Sequence, residues 1–133
     1  MKETFRREAP AKINLALDIL GKRPDGYHAL CSIMQTVSLC DSVELAEGGE
    51  GFTLSMAGFT PPEGRKTLEQ RAAEAFFARL GRVMPPLTVR ITKRTPAYAG
   101  LGGGSADAAA VLRGLNRYYG EPLSIAALCE TGE

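Results

Sequence analysis

The segment Thr95 to Asn116, TPAYAGLGGGSADAAAVLRGLN, places four glycines within five positions, Gly100, Gly102, Gly103 and Gly104, just ahead of Ser105. A turn needs only one. Consecutive glycines take positive φ and carry no Cβ, so successive backbone N–H groups can line one concavity and a ligand can approach the main chain closely. Ser105, Ala106, Asp107 and Ala108 then begin a helix, whose first amides lack partners and whose dipole adds positive potential. Loop and helix together suit a phosphate group. The plainer alternative is a flexible turn ahead of an alanine-rich helix. Neither of two widespread phosphate loops fits. A P-loop requires Lys-Ser/Thr after its last glycine, where Ser105-Ala106 stands, and a Gly-x-Gly-x-x-Gly count from Gly100 meets Ser105 in the sixth place.

Without a lysine after the loop, positive charge for a phosphoryl group must come from elsewhere. Lys12 is the best candidate, and Asn14 lies on the same side of its strand. Tyr27 and His28 follow in a turn; as the only histidine, His28 cannot build a multi-histidine metal site. Asp107 could hold Mg²⁺ through water, but the favoured reading is electrostatic support of the helix N-terminus. Cys31, Cys40 and Cys129 form no Cys-x-x-Cys pair and are expected to be buried free thiols.

These residues need elements to hold them. In KINLALDIL, Ile13, Leu15, Leu17 and Ile19 alternate with Lys12, Asn14, Ala16 and Asp18, the period of a strand with one buried face. Pro24, Asp25 and Gly26 supply a turn. SIMQTVSLCDSVEL reads as one or two strands with a break near Asp41 and Ser42, and GFTLSM as another. Leu68, Ala72, Ala75, Phe76 and Leu80 recur at helical spacing from Thr67 to Leu80, with Gly81 as C-cap. Leu87, Val89 and Ile91 alternate in a strand that leads into the glycines, and Ser124 is a plausible N-cap for a last helix. The result is a mostly antiparallel sheet with helices.

Composition narrows the function classes. The 133 residues are 44% apolar, enough for one ordinary domain with a core. Sixteen basic against fifteen acidic residues give a net charge of +1, so no large field points to nucleic acid or an anionic membrane as partner. With no apolar signal segment and no membrane-length apolar run, a cytoplasmic location is expected.

PAYAGLGGGSADAAAVL, Pro96 to Leu112, resembles the P-x-x-x-G-L-G-[GS]-[GS]-S phosphate loop of the GHMP kinases. Within that superfamily, APAKINLALDILGKRPDGYHAL is similar to the opening of the 4-diphosphocytidyl-2-C-methyl-D-erythritol kinases, where a P-A-K-x-N-L strand and a D-G-Y-H turn occur together. The similarity runs from about Glu8 to the end of the chain and is weakest from Glu47 to Lys66. It implies an α+β fold, the GHMP kinase N-terminal domain: a mostly antiparallel sheet packed with helices and containing a left-handed βαβ unit. It also implies that residues 1–133 are the N-terminal, ATP-binding domain, ending before its completion, with the C-terminal GHMP domain outside the chain.

By the same resemblance, ATP phosphorylates the 2-hydroxyl of 4-diphosphocytidyl-2-C-methyl-D-erythritol in the non-mevalonate isoprenoid route, with Mg²⁺. Pro96, Ala99, Gly100, Leu101, Gly102, Gly103, Gly104, Ser105 and Ala106 would hold the ATP phosphates, Ser105 near the γ-phosphate or its Mg²⁺. Lys12 would be catalytic, orienting the acceptor hydroxyl and its base; Asn14 would contact the substrate, and Tyr27 would stack on its cytosine while His28 hydrogen-bonds to it. Two departures stand out. Thr67-Leu68 takes the place of the Asn-Leu found beside the adenine, and the aspartate expected as general base lies in a downstream G-A-D-V-P segment beyond Glu133. The alternatives are another GHMP small-molecule kinase, of homoserine or mevalonate type, and a nucleic-acid-binding module of similar βαβ architecture.

Overall fold

In the computed structural model, residues 4–56, 66–95 and 103–132 are described. Four strands, β1 (Phe5–Lys22), β2 (His28–Glu47), β3 (Phe52–Met56) and β4 (Leu87–Thr92), form one sheet in the order β1-β2-β4-β3. β1 with β2 and β2 with β4 are antiparallel; β3 and β4 are parallel. A parallel pair needs a crossover, and α1 (Leu68–Leu80) lies between these two strands in sequence. The helices α2 (Gly103–Tyr118) and α3 (Ile125–Thr131) follow. The α+β expectation holds, with one parallel pair at an otherwise antiparallel sheet's edge. Among the described residues no helix is long and apolar enough to cross a membrane.

The core lies between the sheet and α1 and α2. Leu87, Val89 and Ile91 of β4 are buried on one face, as their alternation predicts, and meet Val43 and Leu45 of β2. Phe76, Phe77 and Ala73 enter from α1, and Ala110, Val111 and Leu115 from α2. Gly114 brings α2 close: a Cβ there would stand 2.4 Å from Leu45 Cδ1. The predicted C-cap of α1, Gly81, is present in the left-handed region, and Thr67 supplies an N-cap that was not predicted, its Oγ1 accepting from Gln70 N at 3.2 Å. The buried face of α1 is Ala73, Phe76 and Phe77 rather than one centred on Leu68 and Ala72, because the two phenylalanines carry most of the apolar area. Ser124 caps α3 through Ala127 N at 3.1 Å.

Three expectations are corrected. β2 does not break at Asp41 and Ser42: both are buried within the strand, because each has polar partners, Ser42 taking Arg6 Nε at 2.8 Å. The thiols are not buried. Cys31 and Cys129 are exposed and Cys40 is half-buried, since Cys31 sits on a strand arm without cover and Cys129 on the outside of α3.

The predicted one-sided burial of KINLALDIL also fails. Register shifts fall between Pro10 and Lys12, Asn14 and Ala16, and Ile19 and Gly21, and each bends the strand. Lys12 and Asn14 pair with Thr36 and Met34, and so share one face as their spacing predicts. Ile19, which pairs with Leu30, falls in that same even-numbered register of β2, because the shift after Asn14 reverses the alternation. The outer part of the β1–β2 arm is covered on neither face: Leu15 is 60%, Ile33 61% and Met34 62% exposed. Such an apolar surface favours association. Light scattering should therefore show residues 1–133 self-associating, and the double variant Leu15→Lys, Ile33→Lys should suppress this without lowering the melting temperature; unchanged association would rule out the arm as the contact.

Candidate functional site

The glycine run leads directly into α2. Pro96, Ala99, Gly100, Leu101 and Gly102 lie outside the described residues. Gly103 is the first residue of α2, two positions before the predicted helix start. Gly104 and Ser105 are exposed and Ala106 is half-buried, in the first turn of a sixteen-residue helix, where backbone amides lack intrahelical partners. Ser105 is the third helical residue rather than its cap. It lines a cleft of about 580 Å³ whose walls include Leu68, Ala72 and Ala75 of α1 and Ala108 and Ala109 of α2, with the charged Arg71 and Glu74 among them and Thr131 at the end of α3. That volume is in the range of small-molecule sites, and small apolar walls beside a few polar groups are their usual lining. Ala108 and Ala109 keep the helices from filling the space. Thr67, at the position of the departure noted above, serves α1 as its N-cap.

Behind the first turns of α2 lies a cluster that sequence reasoning missed. Lys93, just after β4, donates from Nζ to Asp41 Oδ2 at 2.7 Å and to Asp107 Oδ2 at 2.9 Å. Asp41 Oδ1 accepts the backbone N–H groups of Arg94 at 2.7 Å and Thr95 at 2.8 Å. Both carboxylates are fully buried. Asp107 therefore turns inward to Lys93 and does not support the helix terminus as expected. Asp107 Oδ1 and Thr95 Oγ1 are buried without a partner among the described residues. A signal was available in the apolar strand sequence SLCDSVEL, where a charged residue interrupts a run that packs.

The cluster is asymmetric in its protonation. Burial raises the pKa of Asp41, but the adjoining Asp107 carboxyl, the Lys93 ammonium and the two backbone N–H donors prevail and lower it to about 2. Burial and the neighbouring Asp41 push Asp107 up to about 7 against the pull of Lys93. Burial disfavours the Lys93 ammonium, yet its two carboxylate partners raise its pKa.

The remaining predicted residues fall into two groups along the arm. Lys12 is half-buried and Asn14 exposed, on one face. Tyr27 is 74% exposed at the hairpin turn, where its N–H donates to Asp25 Oδ1 at 3.1 Å and Arg23 pairs with Asp25 at 3.0 Å. His28 opens β2 opposite Lys22. Ten positions of β1 separate Lys12 from Lys22, about 30 Å of extended strand, shortened by the bends at the register shifts. Lys12 and Asn14 are thus together, as are Tyr27 and His28, and the two pairs lie apart along one curved hairpin.

Asp41 generates a pH test. Its folded pKa is below its unfolded value, so the stability it contributes is present above about pH 4 and is lost as pH falls toward 2. Asp41→Asn is expected to cost about 3 kcal/mol at pH 6, at the low end for a broken buried pair because Asp107 still partners Lys93. The difference in melting temperature from the parent, followed calorimetrically, should shrink between pH 4 and pH 2; a constant difference would mean that Asp41 does not carry this charge.

Comparison with known proteins bears on this arrangement. The family model of the GHMP kinases N terminal domain matches residues 67–133, half of the chain. Over 93% of its length the chain is 49% identical to a 4-diphosphocytidyl-2-C-methyl-D-erythritol kinase of Carboxydothermus hydrogenoformans and 48% identical to one of Syntrophotalea carbinolica. It spans 42% and 44% of those relatives. A crystal structure of 4-(cytidine 5'-diphospho)-2C-methyl-D-erythritol kinase superposes with a TM-score of 0.75 at 36% identity, covering 96% of this chain and 46% of that one. A homoserine kinase from Cytophaga hutchinsonii shares the fold at a TM-score of 0.71 and 18% identity, over 99% of this chain and 40% of its own. With an open glycine-led helix and this family match over half its length, the chain belongs to the GHMP kinases.

Proposed function

We propose that residues 1–133 are the N-terminal, nucleotide-binding part of a cytoplasmic kinase that transfers the γ-phosphoryl group of ATP to the 2-hydroxyl of 4-diphosphocytidyl-2-C-methyl-D-erythritol, a step of the non-mevalonate isoprenoid route. One observation carries the reading. The glycine run at the start of α2 occurs in the same chain as the A-P-A-K-I-N-L strand and the D-G-Y-H turn, and relatives bearing that kinase name are 44–49% identical across nearly the whole of it.

Phosphoryl transfer needs the charge of the moving group neutralised, an aligned acceptor oxygen and a group to take its proton. The first turn of α2, Gly103 to Ala106, supports the first requirement, since Gly104 and Ser105 are exposed there, Ser105 lines the cleft, and the N-terminal amides of a helix suit the phosphates of ATP. Residues 96–102 would complete that cradle. Mg²⁺ would neutralise charge on the phosphates; it is held in such sites largely by the phosphates and water, and the exposed hydroxyl of Ser105 fits as its protein contact. Asp107 does not, being engaged with Lys93. Lys12 would orient the acceptor hydroxyl, Asn14 beside it would contact the substrate, and Tyr27 and His28 would take the cytosine. The exposed ring of Tyr27 at the end of a bent hairpin suits a stacking role. With Asp107 paired, the proton acceptor is proposed to be the aspartate of a G-A-D-V-P segment, so residues 1–133 alone should give no ADP release. Turnover by that chain would make Asp107 the base.

A coupled ADP-release assay on the full-length enzyme tests the substrate. Turnover is expected with 4-diphosphocytidyl-2-C-methyl-D-erythritol and not with homoserine or mevalonate; the reverse pattern would assign the chain to another GHMP kinase. Lys12→Ala in that enzyme should lower kcat by about a hundredfold, as for loss of a group acting in the transition state, while KM changes by about threefold or less. An unchanged kcat would remove Lys12 from the chemical step.

A further inference from the structure

Residues 96–102 lie in sequence between β4 and α2, and one charge cluster holds the described chain on both sides of them. On the β4 side, the N–H groups of Arg94 and Thr95 are bound by Asp41 Oδ1. On the α2 side, Asp107 is bound by Lys93 Nζ, which also donates to Asp41 Oδ2. We propose that Asp41, Lys93 and Asp107 are positioning residues for nucleotide binding: they fix both flanks of the glycine-rich connector and the rotation of α2, so that its first amides stay aimed at the phosphates. The inference rests on the nucleotide reading above and adds to it the residues that act through the loop without touching ligand.

Two physical arguments support it. Glycine loses more conformational freedom on ordering than any other residue, and the connector 96–102 contains two, Gly100 and Gly102. Closing such a connector costs less when its ends are already held at a fixed separation, and affinity rises by what ordering no longer takes. Direction is the second. Asp107 lies four residues after Gly103, about one helical turn, on the face that also buries Ala110, Val111 and Leu115. Its bond to Lys93 resists rotation of α2 about its axis, which would turn the exposed first turn away from the cleft that Ser105 lines. Since Asp41 and Asp107 are sealed from water, their bonds to Lys93 do not compete with solvent in the way that surface ion pairs do.

ATP titrated calorimetrically, with Mg²⁺ present, into the full-length protein and three variants tests this. Asp41→Ala removes the acceptor for both backbone amides and should weaken ATP binding by about tenfold or more, as the binding-competent arrangement becomes a minor state. Asp41→Asn keeps an acceptor oxygen for those amides and should stay within about threefold of wild type, although it is less stable. Phe77→Leu, in the aromatic core with Phe76 and Tyr119, lowers stability away from the cluster and should bind as wild type does. Asp41→Ala binding within about twofold of wild type, or affinity in all three variants tracking melting temperature alone, would overturn the proposal. Should Asp41→Ala fail to fold, hydrogen exchange in the nucleotide-free wild type decides: the amides of Arg94 and Thr95 should be protected, and exchange at unprotected rates would overturn the proposal. A wild-type protein that takes up no ATP would instead dismiss the nucleotide reading itself, and the positioning role with it.

Discussion

One ammonium between two buried carboxylates joins the parts of this fold that a phosphate site needs. None of the three charges could be buried alone, because an isolated ion in the interior would lose its hydration without replacement. Together they are tolerable, since Lys93 reaches both acids and Asp41 also receives two main-chain amides. The consequence is geometric. β2 supplies Asp41, the residue after β4 supplies Lys93, and α2 supplies Asp107, so the three elements are tied at the first turns of α2.

The rest of the packing serves that junction. β4 presents one apolar face to the helices, and α2 approaches β2 closely because Gly114 has no side chain to oppose Leu45. α1 is anchored by Phe76 and Phe77 against Tyr119, with rings 6.3 and 5.5 Å from it. Its other side, with Leu68, Ala72 and Ala75, is left to form the cleft with Ala108 and Ala109. The same helix thus has an anchored side in the core and an open side on the cleft. The β1–β2 arm is different in kind: beyond Lys12 it has two exposed faces, and its candidate substrate residues depend on strand curvature rather than on a core for their position.

Local rules made much of this legible. The caps at Gly81 and Ser124 follow from side chains and backbone freedom within a few residues, and the alternation of Leu87, Val89 and Ile91 follows from one covered face. The glycine run suggested a phosphate loop by its composition, yet Gly103 and Gly104 are helical residues at the start of α2 and take no positive φ. What failed was set by tertiary partners. The register shift after Asn14 reverses the faces of β1, and no property of KINLALDIL alone places an extra residue there. Asp41 looked like a strand breaker because its partners lie more than fifty residues away. Cys31 and Cys129 looked like core residues because free cysteine is usually buried, whereas here nothing covers the arm or the outside of α3.

The start of α2 is the proposed binding place of the ATP phosphates. Amide chemical-shift mapping of the protein with MgATP examines this directly, residue by residue. The resonances of Gly103, Gly104, Ser105 and Ala106 should shift most, with those of Arg94 and Thr95 following through the cluster and those of Tyr27 and His28 unmoved until the cytidine diphosphate compound is added. Shifts concentrated elsewhere, with the first turn of α2 silent at saturating ATP, would contradict it.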